Sequence, residues 1–184
     1  MSKFTLRAAL GAAALLAAAP ALTAASNPKV GGAAMYANKT IVENAAQSQD
    51  HKTLVAAVGA AGLAETLSGP GPFTVFAPTD AAFAKLPAGT VDTLVKPENK
   101  ATLTNILTYH VVPGTMTSKT IGAAIRKGKG TATLTTVQGE PLTAKMTGGR
   151  MILTDAKGGT SMVTIKDVMQ SNGVIHVVDT VLMP

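Results

Sequence analysis

Gly71-Pro72-Phe73-Thr74-Val75-Phe76-Ala77-Pro78-Thr79-Asp80-Ala81-Ala82-Phe83 is the stretch that decides the fold. Phe73–Ala77 alternates as a buried strand, and the preceding Ser68-Gly69-Pro70-Gly71-Pro72 cannot be helical. Pro78 closes the strand. Thr79 or Asp80 then offers a side-chain oxygen to the free amides of a short helix, and Phe83 turns inward from it. Upstream, Thr40-Ile41-Val42-Glu43 matches a capping box. A helix over His51–Ala61 carries Leu54, Val55 and Val58 on one stripe, Gly62 stops it, and Leu63–Leu67 adds a helical turn.

Downstream, a turn at Pro87-Ala88-Gly89-Thr90 leads into Val91–Val95, and Lys100–Thr108 reads as a helix capped by Asn99 and bearing Leu103, Ile106 and Leu107 on one face. Ser118–Lys127 is one more helix. After Gly130 the texture changes to short runs rich in Thr, Val and Ile, separated by glycine-bearing turns: Thr131–Val137, Leu142–Met146, Arg150–Thr154 and Ser161–Ile165. Asp167–Met169 and Val174–Leu182 add strand-like pieces around Asn172-Gly173, whose residues suit a tight turn. Helices first, with one embedded strand, then hairpins make an α+β chain rather than an alternating βαβ one. The two halves are expected to close over one shared apolar interior.

A length of 184 residues holds one ordinary domain plus extensions. Met1–Arg7 carries Lys3 and Arg7, and Ala8–Ala19 is apolar before Pro20, which is the pattern of an export signal too short to span a bilayer. Small residues at Thr23-Ala24-Ala25 place the cut near Ala25, so residues 1–25 are expected to be a signal peptide and the mature chain secreted, either periplasmic or extracellular. Ser26–Asn38 is rich in Gly, Ala and Asn without a period and reads as a flexible lead-in to an ordered domain over 39–184. Removing Lys3 and Arg7 from 16 basic side chains leaves 14 against 10 acidic ones, too even a balance for a dedicated nucleic-acid binder. The absence of Cys excludes disulfides, thiolate metal sites and a Cys nucleophile. With no Trp, two Tyr and four Phe, ring-stacking sites for sugars are poorly supplied.

No motif announces chemistry. Gly122–Gly130 has the wrong spacing for a phosphate loop and lacks its Ser or Thr. His51, His110 and His176 fall into no zinc-protease pattern, and no Gly-x-Ser-x-Gly elbow offers a nucleophile. No cofactor or metal is implied. Arg126-Lys127-Gly128-Lys129 is a small basic cluster, read first as a solvated turn and second as a weak, salt-sensitive attraction for anionic polymers.

Three boxes in order resemble the fasciclin domain family. They are Gly71–Phe83; Ile106-Leu107-Thr108-Tyr109-His110-Val111-Val112-Pro113-Gly114; and Asn172-Gly173-Val174-Ile175-His176-Val177-Val178-Asp179 with Val181–Pro184. The resemblance covers about Asn38–Pro184 and implies a fasciclin-like β-wedge of two small sheets with a helical layer. Phe73, Phe76, Pro78, Thr79, Asp80, Phe83, Asn172, Gly173 and His176 are the structural residues of these boxes. In animal matrix members of this family, the Tyr-His segment and an upstream Asp-Ile pair are implicated in integrin binding. Tyr109 and His110 match the first, and Asp167 matches the second with Val168 in place of Ile, so these four residues are the candidate binding set. The resemblance implies a secreted, non-catalytic module for adhesion, with a protein or glycan surface or matrix component as partner. Two alternatives stand beside it. One is a hydrolase using His110 or His176 with Asp80 or Asp179. The other is a small-ligand or lipid carrier, which needs a continuous apolar cavity of at least roughly 300 Å³.

Overall fold

In the computed structural model the residues described are 27–184, so the signal sequence expected over residues 1–25 lies outside them. The chain begins with a small hairpin, β1 (Lys29–Val30) and β2 (Ala33–Ala34), followed by three short helices, α1 (Ile41–Ala45), α2 (Lys52–Ala61) and α3 (Ala64–Ser68). Strand β3 (Phe73–Pro78) leads through α4 (Asp80–Ala84), α5 (Thr90–Leu94) and a 3-10 turn at Pro97–Asn99 into α6 (Lys100–Tyr109). Strand β4 (Val111–Pro113) and helix α7 (Ser118–Lys127) come next. The remainder is β5 (Thr131–Thr135), β6 (Pro141–Thr147), β7 (Arg150–Thr154), β8 (Thr160–Gln170) and β9 (Gly173–Val178).

β4-β3-β9-β8-β7-β6-β5 is one hydrogen-bonded order, antiparallel throughout except that β3 and β9 run parallel. β8 turns this order into a wedge. Its start pairs with β7 over Thr160–Met162, while its later part pairs with β9. Two register shifts, between Val163 and Ile165 and between Ile165 and Val168, bend it in the middle. The two halves fold toward each other, and the Val137 amide bonds to the Val111 carbonyl at 2.7 Å where β4 and the end of β5 meet.

Local signals explain most helix ends. Thr40 and Glu43 form the reciprocal capping box at α1, and Gly62 ends α2 in the left-handed conformation. Thr79 is the cap of α4, accepting from the Ala82 amide at 3.2 Å. Asp80 instead reaches across to a different helix, its Oδ1 accepting from the Thr53 amide of α2 at 2.8 Å. Asn99 occupies the cap position of α6 without capping it; its side chain donates to the Thr93 carbonyl.

Two expectations are corrected. Residues 27–38, read as a flexible lead-in, form the β1–β2 hairpin with Val30 and Met35 buried. Asn27 ties this segment to β8 by exchanging hydrogen bonds with both backbone groups of Met169, and the Asn44 amide donates to the Tyr36 carbonyl. Long-range hydrogen bonds hold a stretch that has no period of its own. The second correction concerns the interior, which is two cores on opposite faces of the central strands rather than one. Helices α1–α4 and α6 cover the face of β3 and β9 that bears Val75, Ala77, Ile175 and Val177. The other face, with Phe76 and Val178, looks into the wedge among Leu134, Leu142, Leu153 and Ile121 of α7. Strand alternation forces this split, since successive side chains point to opposite faces and both faces of β3 and β9 are covered.

Candidate functional site

The candidate binding residues sit where these two cores meet. Tyr109 ends α6 and is fully buried; its hydroxyl donates to the Pro141 carbonyl at 2.9 Å and accepts from the Ala156 amide at 3.0 Å. Burial pushes this phenol's pKa up. His110, 2% exposed, bonds through Nδ1 to the Ile106 carbonyl at 2.8 Å and through Nε2 to the Leu182 amide at 3.0 Å. A carbonyl on one side and an N–H on the other fix the neutral tautomer with the proton on Nδ1. Burial lowers its pKa to about 4.

His176 is arranged in the same way. Nε2 donates to the Met116 carbonyl at 2.7 Å, Nδ1 accepts from the Asp167 amide at 3.3 Å, and the ring stacks on Phe76 at 5.6 Å. Burial lowers its pKa as well. Asp167 occupies the bend of β8 with φ 59°, and its carboxylate accepts from both the backbone amide (2.6 Å) and the hydroxyl of Ser118, the first residue of α7. Val168 is fully buried. The structure therefore gathers His176 and Asp167 into one network at the wedge opening, and places Tyr109 and His110 in internal hydrogen bonds elsewhere. Tyr109, His110 and Val168 present no side-chain surface to a partner, which corrects the expectation of direct contact. The cause is plain in each case: the residues that lock β4, β8 and the carboxyl-terminal segment together are used up in doing so.

The turn expected at Asn172-Gly173 has a different basis. The Asn172 side chain accepts from the Ile41 amide and donates to the Leu67 and Gly69 carbonyls, joining α1 to the end of α3. Gly173 is required by close approach, because a Cβ there would lie 1.9 Å from the Phe73 carbonyl oxygen. One pairing escaped the sequence reading. Ser48 Oγ lies 2.9 Å from His51 Nδ1, both buried beneath the β1–β2 hairpin, and His51 Nε2 has no hydrogen-bond partner in good geometry. Burial depresses the His51 pKa, opposed by the neighbouring Ala77 carbonyl. A Ser and His three residues apart, near the start of a helix, were the available signal. The space beside the pair is only about 10 Å³, so no substrate reaches it.

The hydrolase alternative finds no support in these arrangements. His110 and His176 face backbone groups rather than a hydroxyl nucleophile. Asp80 is occupied with α2, and Asp179 accepts from the Met162 amide and pairs with Lys85 at 3.6 Å. The carrier alternative finds no support in the space beneath the helices. The apolar space between α1, α2, α6 and the sheet is about 30 Å³, a tenth of what a small-ligand site needs.

The sequence model of the Fasciclin domain matches residues 49–184. The chain belongs to the fasciclin domain family. Protein sll1483 of Synechocystis sp. is 50% identical over 155 residues, spanning 84% of this chain and 79% of that one. Human periostin is 34% identical over 148 residues, which cover 80% of this chain but 16% of periostin. Among solved structures, the FAS1 domain pair of the insect cell adhesion molecule Fasciclin I superposes with a TM-score of 0.69 at 19% identity; the match covers 79% of this chain and about half of that one (51%). That likeness shows the fold: helices packed on a sheet wedge.

With its interior filled, this fasciclin domain offers its exterior. A groove of about 540 Å³ lies between α7, the β6–β7 hairpin and the middle of β8. Lys119, Arg126, Arg150 and Lys166 line it, and no Asp or Glu does. No helix among the described residues is long and apolar enough to cross a membrane.

Proposed function

We propose that this protein is a secreted or surface-associated, non-catalytic adhesion module that binds a protein or glycan component of a cell surface or matrix through its exterior. The observation that carries this reading is the internal use of its polar groups. Tyr109 through its hydroxyl, and His110 and His176 through both ring nitrogens, each make two hydrogen bonds to the backbone, and the apolar space beneath the helices is too small for a ligand. Membership of a family with a cell adhesion molecule among its solved structures supports the same reading. The amino-terminal pattern of Lys3, Arg7 and the Ala8–Ala19 run supports export.

The test has two arms. Expression of the full chain in a bacterium, followed by fractionation and intact-mass measurement, should recover a product beginning near Ser26 outside the cytoplasm. Beads coated with that product should be retained saturably by immobilised envelope or matrix fractions at low salt and less so at high salt. Uncleaved protein confined to the cytoplasm, or retention no greater than that of bare beads, would overturn the reading.

A further inference from the structure

The groove beside α7 is built unlike the rest of the surface. Lys119, Gly122 and Arg126 follow the spacing of a single helix face, so α7 forms one wall with two cations about 10.5 Å apart along the axis. Arg150 at the β6–β7 turn and Lys166 on β8 supply cations from the sheet side. None of the four has a carboxylate partner: Lys85–Asp179 is the one ion pair among the described residues. The nearby Asp167 carboxylate is spent on Ser118. Between the walls lie Met146, Met151, Met162 and Val163, with Met146 44% exposed although it is large and apolar. Arg150 Nη1 rests 3.6 Å from the Met162 sulfur. Thioether side chains make an adaptable apolar floor.

We infer that this groove is a docking site for an extended acidic peptide segment of a partner protein. Its carboxylates pair with Lys119, Arg126, Arg150 and Lys166, and its apolar side chains lie on the methionine floor. The span between Lys119 and Arg126 accommodates roughly three residues of extended chain, in which alternate side chains point to opposite sides. That alternation matches a floor that wants apolar groups and rims that want carboxylates. An acidic polysaccharide would leave the methionine floor unused, and no aromatic ring lines the groove for a sugar to stack on. A flat anionic membrane cannot enter a hollow lying between a helix and a hairpin. Gly122 keeps the wall open: a Cβ there would meet only the Arg126 guanidinium, at 3.7 Å.

This inference rests on the adhesion reading and names its partner chemistry. The experiment measures fluorescence anisotropy of a short labelled peptide alternating glutamate with leucine, titrated with the purified full chain. Binding should be saturable and weaken as salt rises. The double variant Lys119→Glu/Arg126→Glu should weaken it on the order of tenfold or more. Gly122→Leu should block it by filling the groove while leaving the melting temperature unchanged or raised, since Gly is a poor residue inside a helix. Lys96→Glu, an exposed cation elsewhere, should change nothing. Equal binding by the Gly122→Leu variant would overturn the inference. So would equal binding of a glutamate–serine peptide, or tighter binding of polygalacturonate than of the peptide. If the coated beads are retained equally by wild type and Gly122→Leu, the groove fails while the adhesion reading stands; if neither is retained, the adhesion reading itself fails.

Discussion

The two faces of β3 and β9 carry cores made in different ways. On the helical side many of the apolar contacts are small: Ala57, Ala61, Ala77 and Ala82 let α2 and α4 approach the sheet. The void of about 30 Å³ lies on that side, against Leu54, Val58 and Val75. On the wedge side, larger groups fill a space closed by strands, and polar groups stitch its rim: the Tyr109 hydroxyl to β6 and the turn after β7, and His176 to Met116. The difference teaches that one sheet can take its shape from helix packing on one face and from hydrogen-bonded closure on the other. Loss of volume should matter on both faces, and loss of a buried polar group should matter where it bridges separate segments, as at the wedge rim and at Asn172 on the helical side.

Phe76→Ala should show the largest effect. The ring is fully buried on the wedge side and stacks on His176, so its removal should cost about 3–5 kcal/mol in denaturant unfolding. A cost under about 1 kcal/mol would mean that the wedge interior collapses freely and that the two cores are alike after all.

The next effect is one of pH. His51, His110 and His176 are all held neutral by burial, with folded pKa values below the unfolded value of about 6.5. The unfolded chain therefore takes up protons first. Stability is fully present above pH about 6.5 and falls as the pH drops toward the folded values. For His110, whose folded pKa is about 4, that window contributes a loss of about 3 kcal/mol between pH 7 and pH 4. His110→Gln should be less stable than wild type at pH 7 but should show a shallower decline of melting temperature on acidification. An unchanged slope would assign the acid sensitivity to the other two imidazoles.

The smallest effect belongs to a cap on the helical side. Asp80→Ala removes the acceptor at the Thr53 amide and should cost about 1 kcal/mol, leaving retention of the folded protein on its partner unchanged. Lost retention at an unaltered melting temperature would make Asp80 a contact residue instead.

How far the sequence foretold this arrangement depended on range. β3, the capping box at Thr40, the stop at Gly62 and the helices over α2, α6 and α7 follow from local period and local hydrogen bonds, and they were legible. The hairpin at Lys29–Ala34 was not, because its two-residue strands have no period and are held by Asn27 and Asn44 through distant partners. Asp80 looked like a local cap because Thr79 and Asp80 are equally suited by type, and only the tertiary placement of α2 sends one of them elsewhere. The division into two cores is implicit in Val174–Val178, a largely apolar run buried along its whole length in which successive side chains point to opposite faces, but apolar composition by itself suggests a single interior. Burial of Tyr109 and Val168 depends on β6, β8 and the turn after β7, segments far off in sequence. One wall of the groove could have been read from Lys119 and Arg126, seven residues apart on one helix; the other wall needed the topology.

The parallel pairing of β3 with β9 has a consequence for how the molecule comes into being. Val75 faces Ile175, about a hundred residues later, and both cores need that pair of strands. Neither interior can close before Gly173–Val178 is on hand, so acquisition of structure waits for a strand that follows β3 by about a hundred residues. A chain with that dependency stays pliant for as long as its carboxyl-terminal strand is withheld.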